Sequence, residues 1–154
     1  MKIAYQLKII SLLILLTNIP GCKLATGELK TREFEGRFII NSMNSAQQAY
    51  FLENDKFTTE LDMQSKVENY DLKIVLLTDT DKSIIHIAQA KREDIKSYLG
   101  LVYAIKVDSA ELTIAKVCEA EINIPLTSPP EIPQLTENAT SEDIKCPSGF
   151  KSLT

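Results

Sequence analysis

The sequence has few of the residue types from which catalytic and cofactor sites are usually built. Its 154 residues include no tryptophan, five glycines and a single histidine, His86. One histidine cannot form a His-rich metal site. The glycines do not have the spacing of a phosphate-binding loop. We therefore expect a non-enzymatic protein with no cofactor, no metal site and no small-molecule substrate.

The chain also lacks blocks of like charge and long apolar runs. Its net charge is −4, and it becomes −6 if residues 1–21, which hold two lysines, are removed. Such a surface does not favour a nucleic-acid partner. The apolar run Ile9–Leu16 is shorter than the roughly 20 residues that a membrane-spanning helix needs. With 44% hydrophobic and 25% charged residues, the composition predicts one globular domain.

The N-terminus has the layout of an export signal. Lys2 and Lys8 precede the apolar run "IISLLILL", which predicts a cleaved signal peptide over residues 1–21. The following Ile19-Pro20-Gly21-Cys22 resembles the lipobox of bacterial lipoproteins. We expect Cys22 to be the lipidated first residue of an exported protein, anchored to a membrane on its periplasmic or cell-surface side. An uncleaved anchor and an ordinary free thiol are the alternatives.

The other two cysteines lie late in the chain. In an oxidising compartment Cys118 and Cys146 are expected to pair, whereas a third free thiol would be a liability that lipidation of Cys22 removes. The loop that this disulfide closes spans 29 residues counted inclusively. Closing it would stabilise the domain by about 3.5 kcal/mol.

A polar tether is predicted over residues 22–30, followed by a globular domain over residues 31–154. The domain is expected to open with an amphipathic helix of roughly twenty residues. The predicted apolar stripe comprises Phe34, Phe38, Ile39, Met43, Ala46 and Tyr50. The predicted polar side comprises Arg32, Glu33, Arg37, Asn41, Asn44 and Gln48.

Four strands with short connections are predicted after the helix. Their ranges are Tyr70–Thr78, Ser83–Lys91, Tyr98–Val107 and Glu111–Ala120. They predict an antiparallel four-stranded meander with the helix covering one face, which is an α+β fold. The apolar register shifts within the fourth strand, which suggests a bulge or a twist. The Pro-rich C-terminal section is expected to be irregular and held to the fourth strand by the Cys118–Cys146 bridge.

Polar residues elsewhere are interpreted as structural. His86 is predicted to be a half-exposed strand residue, and Asp79 with Asp81 to form a hairpin turn. Two carboxylate pairs lack a partner base and are read as solvated charge; they are Glu119 with Glu121 and Glu142 with Asp143. Asn138-Ala139-Thr140 matches a glycosylation pattern that has little weight in a bacterial lipoprotein.

Several segments of the chain resemble segments of one protein family, and they occur in the same order as in that family. "NSMNSAQQAYFLENDKF" (41–57) is similar to the end of the long helix in the type IV pilin-like G/H family, found mainly in cyanobacteria. "IKSYLGLVYAI" (95–105), "VCEA" (117–120) and "CPSGF" (146–150) are similar to later family segments. The resemblance covers roughly residues 31–154 and implies a pilin-like head domain. Gln47, Gln48, Tyr50, Tyr98 and Gly100 match family positions and are interpreted as packing residues.

The N-terminus departs from that of type IV pilins. Here the apolar run precedes Gly21-Cys22, and the polar stretch "KLATGELKTREFEG" follows it, so the apolar half-helix that holds pilins in a filament is missing. We therefore expect a lipid-anchored protein that acts through protein contacts in pilus, secretion or envelope function. The alternatives are a divergent minor pilin or pseudopilin with an uncleaved anchor and, in another class, a small-ligand-binding lipoprotein.

Overall fold

The structure is a computed structural model, and it describes residues 24–62, 67–77, 82–122, 126, 128–132 and 134–153, with only the backbone at residues 24–26. Three features predicted from the sequence lie outside the described residues. They are the signal peptide over residues 1–21, the lipidation site at Cys22 and the hairpin turn at Asp79 and Asp81.

A single long helix, α1, opens the described part of the chain at Leu24–Asn54. It begins before Thr31, so residues 24–30 are helical where a polar tether was predicted. Gly27 and the charged residues beside it gave no apolar periodicity from which an early start could be predicted. The helix ends where Asp55 takes a left-handed conformation with φ of 57°, and the Asp55 N–H donates to the Phe51 carbonyl.

The buried stripe of α1 is rotated away from the predicted one. Phe34 and Phe38, predicted to be buried, are 57% and 60% exposed. Asn44, predicted to face solvent, is buried, because its amide finds hydrogen-bond partners on the sheet. The stripe that faces the sheet comprises Gly36, Ile39, Ile40, Met43, Asn44, Gln47 and Phe51.

The sheet has five antiparallel strands in the order β1-β2-β3-β4-β5, one more than predicted. Their bounds are β1 Tyr70–Leu76, β2 Ser83–Ala90, β3 Tyr98–Val107, β4 Ala110–Ala120 and β5 Phe150–Ser152. The first four match the predicted meander closely. The fifth is a three-residue edge strand that pairs with the end of β4, and a segment this short has no periodicity to detect.

Of the bulge or twist predicted in β4, the bulge is wrong. β3 and β4 pair in one continuous register, from Tyr98 opposite Glu119 to Val107 opposite Ala110. The apolar residues change sides along β4 because both faces of the sheet are covered. Ala115 packs on the α1 side, and Ile114 packs on the opposite side.

The C-terminal segment covers the face of the sheet that α1 leaves open. Its buried Ala139 and Ile144 join the cluster formed by Leu99, Leu101 and neighbouring sheet residues. A disulfide joins Cys118 on β4 to Cys146, with Cα atoms 5.8 Å apart. The fold is therefore α+β, with a helix, a sheet and a disulfide-bonded irregular segment in three layers.

Candidate interaction surface

The inner side of α1 is fixed to the sheet by a row of polar contacts centred on Asn44. Its Oδ1 lies 2.8 Å from His86 Nδ1 on β2, and its Nδ2 donates to the Lys116 carbonyl on β4 at 3.3 Å. Gly100 on β3 lies between them, paired with His86. A Cβ at Gly100 would collide with Asn44 Oδ1 and would lie 2.9 Å from Ile40 Cγ2. The missing side chain therefore allows the helix to approach β3 closely.

His86 is buried, which corrects the prediction of a half-exposed strand residue. Its exposure is 0%, because α1 covers the face of β2 to which it points. Burial lowers the pKa of its imidazole to about 4, so the ring is neutral at physiological pH. Because Asn44 Oδ1 can only accept, the neutral ring carries its proton on Nδ1. Nε2 has no hydrogen-bond partner among the described residues, and the arrangement is that of a packing residue.

Two glutamines continue the polar row toward the C-terminal end of α1. Gln47 is completely buried; its Nε2 donates to the Thr58 carbonyl, and its Oε1 accepts from the Thr58 N–H at 3.2 Å. Gln48 Nε2 donates to the carbonyl and the hydroxyl of Thr113 on β4, at 3.3 and 3.2 Å. Both side chains therefore hold chain segments in place around the helix.

The helix also packs tightly near the first strand. A Cβ at Gly36 would collide with the ring of Tyr70, whose ring centroid lies 6.1 Å from that of Tyr98. Burial raises the pKa values of both tyrosines well above their usual range. Tyr98 lies on the helix side of the sheet with Gly100, so these two positions of family resemblance both serve helix–sheet packing.

The carboxylate pairs singled out in the sequence do not converge on a site. Burial opposes ionisation of Glu119, but hydrogen bonds and charges from Lys96 at 2.6 Å and Lys151 at 3.4 Å outweigh it and lower its pKa. Asp143 accepts from the Thr140 N–H and hydroxyl at 2.8 Å each, which lowers its pKa. Glu121 and Glu142 are exposed. Within the described ranges, no three acidic, cysteine or histidine side chains cluster as metal ligands would.

The outer side of α1 is exposed and carries an aromatic pair. The rings of Phe34 and Phe38 stack with centroids 6.0 Å apart, and both point away from the sheet. Leu52, about four turns further along the helix, is 72% exposed. The contacting Phe34 and Phe38 rings form an exposed apolar patch, the kind of feature that can serve as a protein contact surface. This surface was not predicted from the sequence, because the four-residue spacing of Phe34 and Phe38 also fits a buried stripe. The same spacing between Gly36 and Ile40 was the signal for the stripe that is in fact buried.

A cleft opens on the opposite side of the molecule, between the sheet and the C-terminal segment. Its volume is about 570 Å³. Its lining includes the apolar Leu77, Ile105 and Leu135 and the lysines Lys82 and Lys106. Lys82 is paired with Glu111 at 2.8 Å, so this lysine is already neutralised.

Comparison with known proteins identifies a family. The family model described as type IV pilin-like G and H matches residues 33–147. No curated protein and no solved structure matches the chain. The described part of the chain contains no helix with the length and hydropathy needed to cross a bilayer.

Proposed function

The chain belongs to the type IV pilin-like G and H family, and from that premise we propose that it is a non-enzymatic structural protein of the cell envelope that acts through protein–protein contacts. The observation that carries the proposal is the exposed Phe34–Phe38 pair on α1. The inner side of the same helix is fully engaged by its own sheet, so the outer side is available to a partner. Pilus, secretion and envelope assemblies are the settings that the family favours.

A lipid on Cys22 is the proposed attachment to the membrane. The charged first turns of α1, with Glu28, Lys30 and Arg32 within five residues, are unsuited to a bilayer interior. α1 begins at Leu24, so a lipid on Cys22 would place the start of the helix at the membrane surface. Each buried methylene contributes about 0.8 kcal/mol, so the several chains of a lipoprotein anchor hold a domain of this size to a bilayer. The domain would then stand on the periplasmic or cell-surface side.

Mass spectrometry of the membrane fraction tests this attachment. We expect the N-terminal peptide to begin at Cys22 with a diacylglyceryl adduct, and we expect Cys22→Ser to lack the adduct and leave the membrane. Thr26→Ser is the matched control, because it changes a nearby residue without removing the thiol. A chain that keeps Met1 would instead support a minor pilin or pseudopilin with an uncleaved anchor. An unmodified Cys22 at the N-terminus of a soluble chain would refute membrane anchoring altogether.

Small-ligand binding is a second candidate function, favoured by the 570 Å³ cleft beside the C-terminal segment. Native mass spectrometry of the purified chain would detect a co-purifying small molecule. Leu135→Trp should displace it by filling the cleft, whereas Leu112→Trp, on the exposed part of β4, should not. A chain of unmodified mass in every preparation would eliminate this candidate.

A further inference from the structure

The outer face of α1 has the spacing of a coiled-coil seam. Uncharged residues recur there at alternating steps of four and three over more than three heptads. They are Gly27, Thr31, Phe34, Phe38, Asn41, Ser45, Gln48 and Leu52. All of these except Gln48 are exposed, and Gln48 is partly buried by its bond to β4. Coiled coils have this spacing with apolar residues at the seam; here Phe34, Phe38 and Leu52 are apolar, and the other five residues are small or polar.

The residues that flank this seam carry opposite charges on its two sides. With Thr31 in the first heptad position, a, the acidic residues Glu28 and Glu35 occupy position e, and the basic residues Lys30 and Arg37 occupy position g. Lys30 and Arg37 are exposed, and Lys30 makes no ion pair with any described residue. Glu28 is already paired with Arg32 on the same helix, so Glu35 is the acidic residue of one edge that remains without an ion pair to a described residue, and the other edge is basic.

This charge arrangement selects a second copy in one orientation. In a parallel two-stranded pair, position g of one helix faces position e of the next heptad on the other helix. Lys30 of each copy then faces Glu35 of the other, which gives two equivalent ion pairs about a two-fold axis. An antiparallel pair centred on Phe34 and Phe38 would instead place basic residues against basic residues and acidic against acidic.

We propose that two copies of this chain associate in parallel through the outer faces of α1, with the Phe34–Phe38 pairs at the centre and Lys30–Glu35 ion pairs at the edges. This inference rests on the proposed function, in which the protein acts through protein–protein contacts, and it names a second copy of the chain as the partner. The small Gly27, Thr31 and Ser45 let the helices approach closely, but they bury little apolar surface. The association is accordingly weak in dilute solution and is strengthened where chains are concentrated on one surface.

Charge-reversal variants at Lys30 and Glu35 test whether two copies pair and in which direction. They are made in two differently tagged copies of the full chain, purified in detergent. Lys30→Glu alone and Glu35→Lys alone should each reduce self-association by about tenfold, because like charges then meet at both edges. Co-expression of Lys30→Glu with Glu35→Lys should restore association, because both ion pairs re-form in the mixed pair. Lys73→Glu, an exposed charge reversal on β1, should leave association unchanged.

Glu35 also accepts hydrogen bonds from the Glu68 N–H and from Asn69, so Glu35→Lys can weaken the domain itself. A gain-of-function variant avoids this ambiguity. Ser42 occupies the e position that faces Arg37 of the other copy, so Ser42→Glu should strengthen the association several-fold in the parallel arrangement. The paired substitution Phe34→Ala/Phe38→Ala should abolish association without lowering thermal stability, and Ile122→Ala, an equally exposed residue elsewhere, should change neither.

The inference is overturned if the wild-type chain is monomeric at every concentration, or if the Phe34→Ala/Phe38→Ala chain associates as strongly as wild type. Failure of Ser42→Glu to strengthen the pair, together with failure of the mixed charge variants to associate, would overturn the parallel direction. These outcomes are independent of the mass of the N-terminal peptide. A lipidated monomer would refute the pairing and leave the proposed function standing. An unlipidated soluble dimer would support the pairing and refute the membrane attachment.

Discussion

The amide oxygen of Asn44 lies 2.8 Å from Nδ1 of His86, in the buried layer between α1 and the sheet. The two residues are 42 positions apart, and each supplies the hydrogen-bond partner that the buried polar group of the other needs. The same Asn44 side chain donates to the Lys116 carbonyl on β4. One asparagine thus ties the helix to two strands and fixes the direction in which the outer face of the helix points.

Acid should destabilise the domain through His86. Burial lowers its pKa from 6.5 to about 4. Between these two pH values His86 is therefore protonated in the unfolded chain and neutral in the folded chain. Stability from this residue is complete above pH 6.5 and falls by about 3 kcal/mol as the pH drops to about 4. Urea denaturation of the wild-type chain at a series of pH values measures the loss.

His86→Gln is the control for this prediction, because glutamine can donate to Asn44 but does not titrate. Carboxylates also protonate near pH 4, so the informative quantity is the difference in unfolding free energy between wild type and variant. We expect that difference to be constant above pH 6.5 and to move steadily in the variant's favour below it. A difference that does not change with pH would show that His86 is protonated equally in both states.

Gly100→Ala should be strongly destabilising because of the same contact. The new methyl group would collide with Asn44 Oδ1 and crowd Ile40, so α1 must move away from β3. Overpacking of this kind costs about 2 kcal/mol or more in unfolding free energy. Gly27→Ala is the matched control: nothing lies within 4 Å of its added Cβ, and alanine in an exposed helix should stabilise by up to about 1 kcal/mol. Equal melting temperatures for the two variants would contradict the close approach.

The meander was predictable from the sequence because apolar residues alternate along its strands, and the structure confirms β3 at Tyr98–Val107 without change. The cysteine count likewise indicated the Cys118–Cys146 pair that the structure contains. These features depend on local patterns, in which each segment carries its own signal.

The helix face and His86 could not be predicted in the same way. A polar side chain read in isolation is assigned to solvent, whereas Asn44 and His86 are buried because each supplies the other's hydrogen bond from a distant element. The buried Met43 is nine residues, or about two and a half turns, from Phe34, so the two side chains point to opposite sides of α1. A stripe that contained both could not face the sheet, and placing Phe34 and Phe38 in it hid the interaction surface.

Gln47 should prove to be the residue that holds the segment after α1 in place. Gln47→Met keeps the volume of the side chain but removes both hydrogen bonds to Thr58. Leaving these backbone groups without partners should lower the unfolding free energy by about 2 kcal/mol and accelerate amide exchange at Thr58. Gln48→Met provides the comparison, because Gln48 is only partly buried and water can replace its bonds to Thr113, so we expect a smaller loss. The reverse order of stabilities would be inconsistent with this role.

The Cys118–Cys146 disulfide should contribute most to the stability of the C-terminal layer. Replacing both cysteines by alanine should lower the unfolding free energy by about 3.5 kcal/mol, because the unfolded chain regains the freedom of the closed loop. β5 begins four residues after Cys146, so the Leu153 N–H, which donates to the Val117 carbonyl at 3.0 Å, should exchange much faster in the variant. Reductant should lower the melting temperature of wild type to that of the variant. Cys22→Ala should melt like wild type and respond to reductant in the same way, because Cys22 has no part in this bridge; a reductant-insensitive wild type would mean that the bridge does not form.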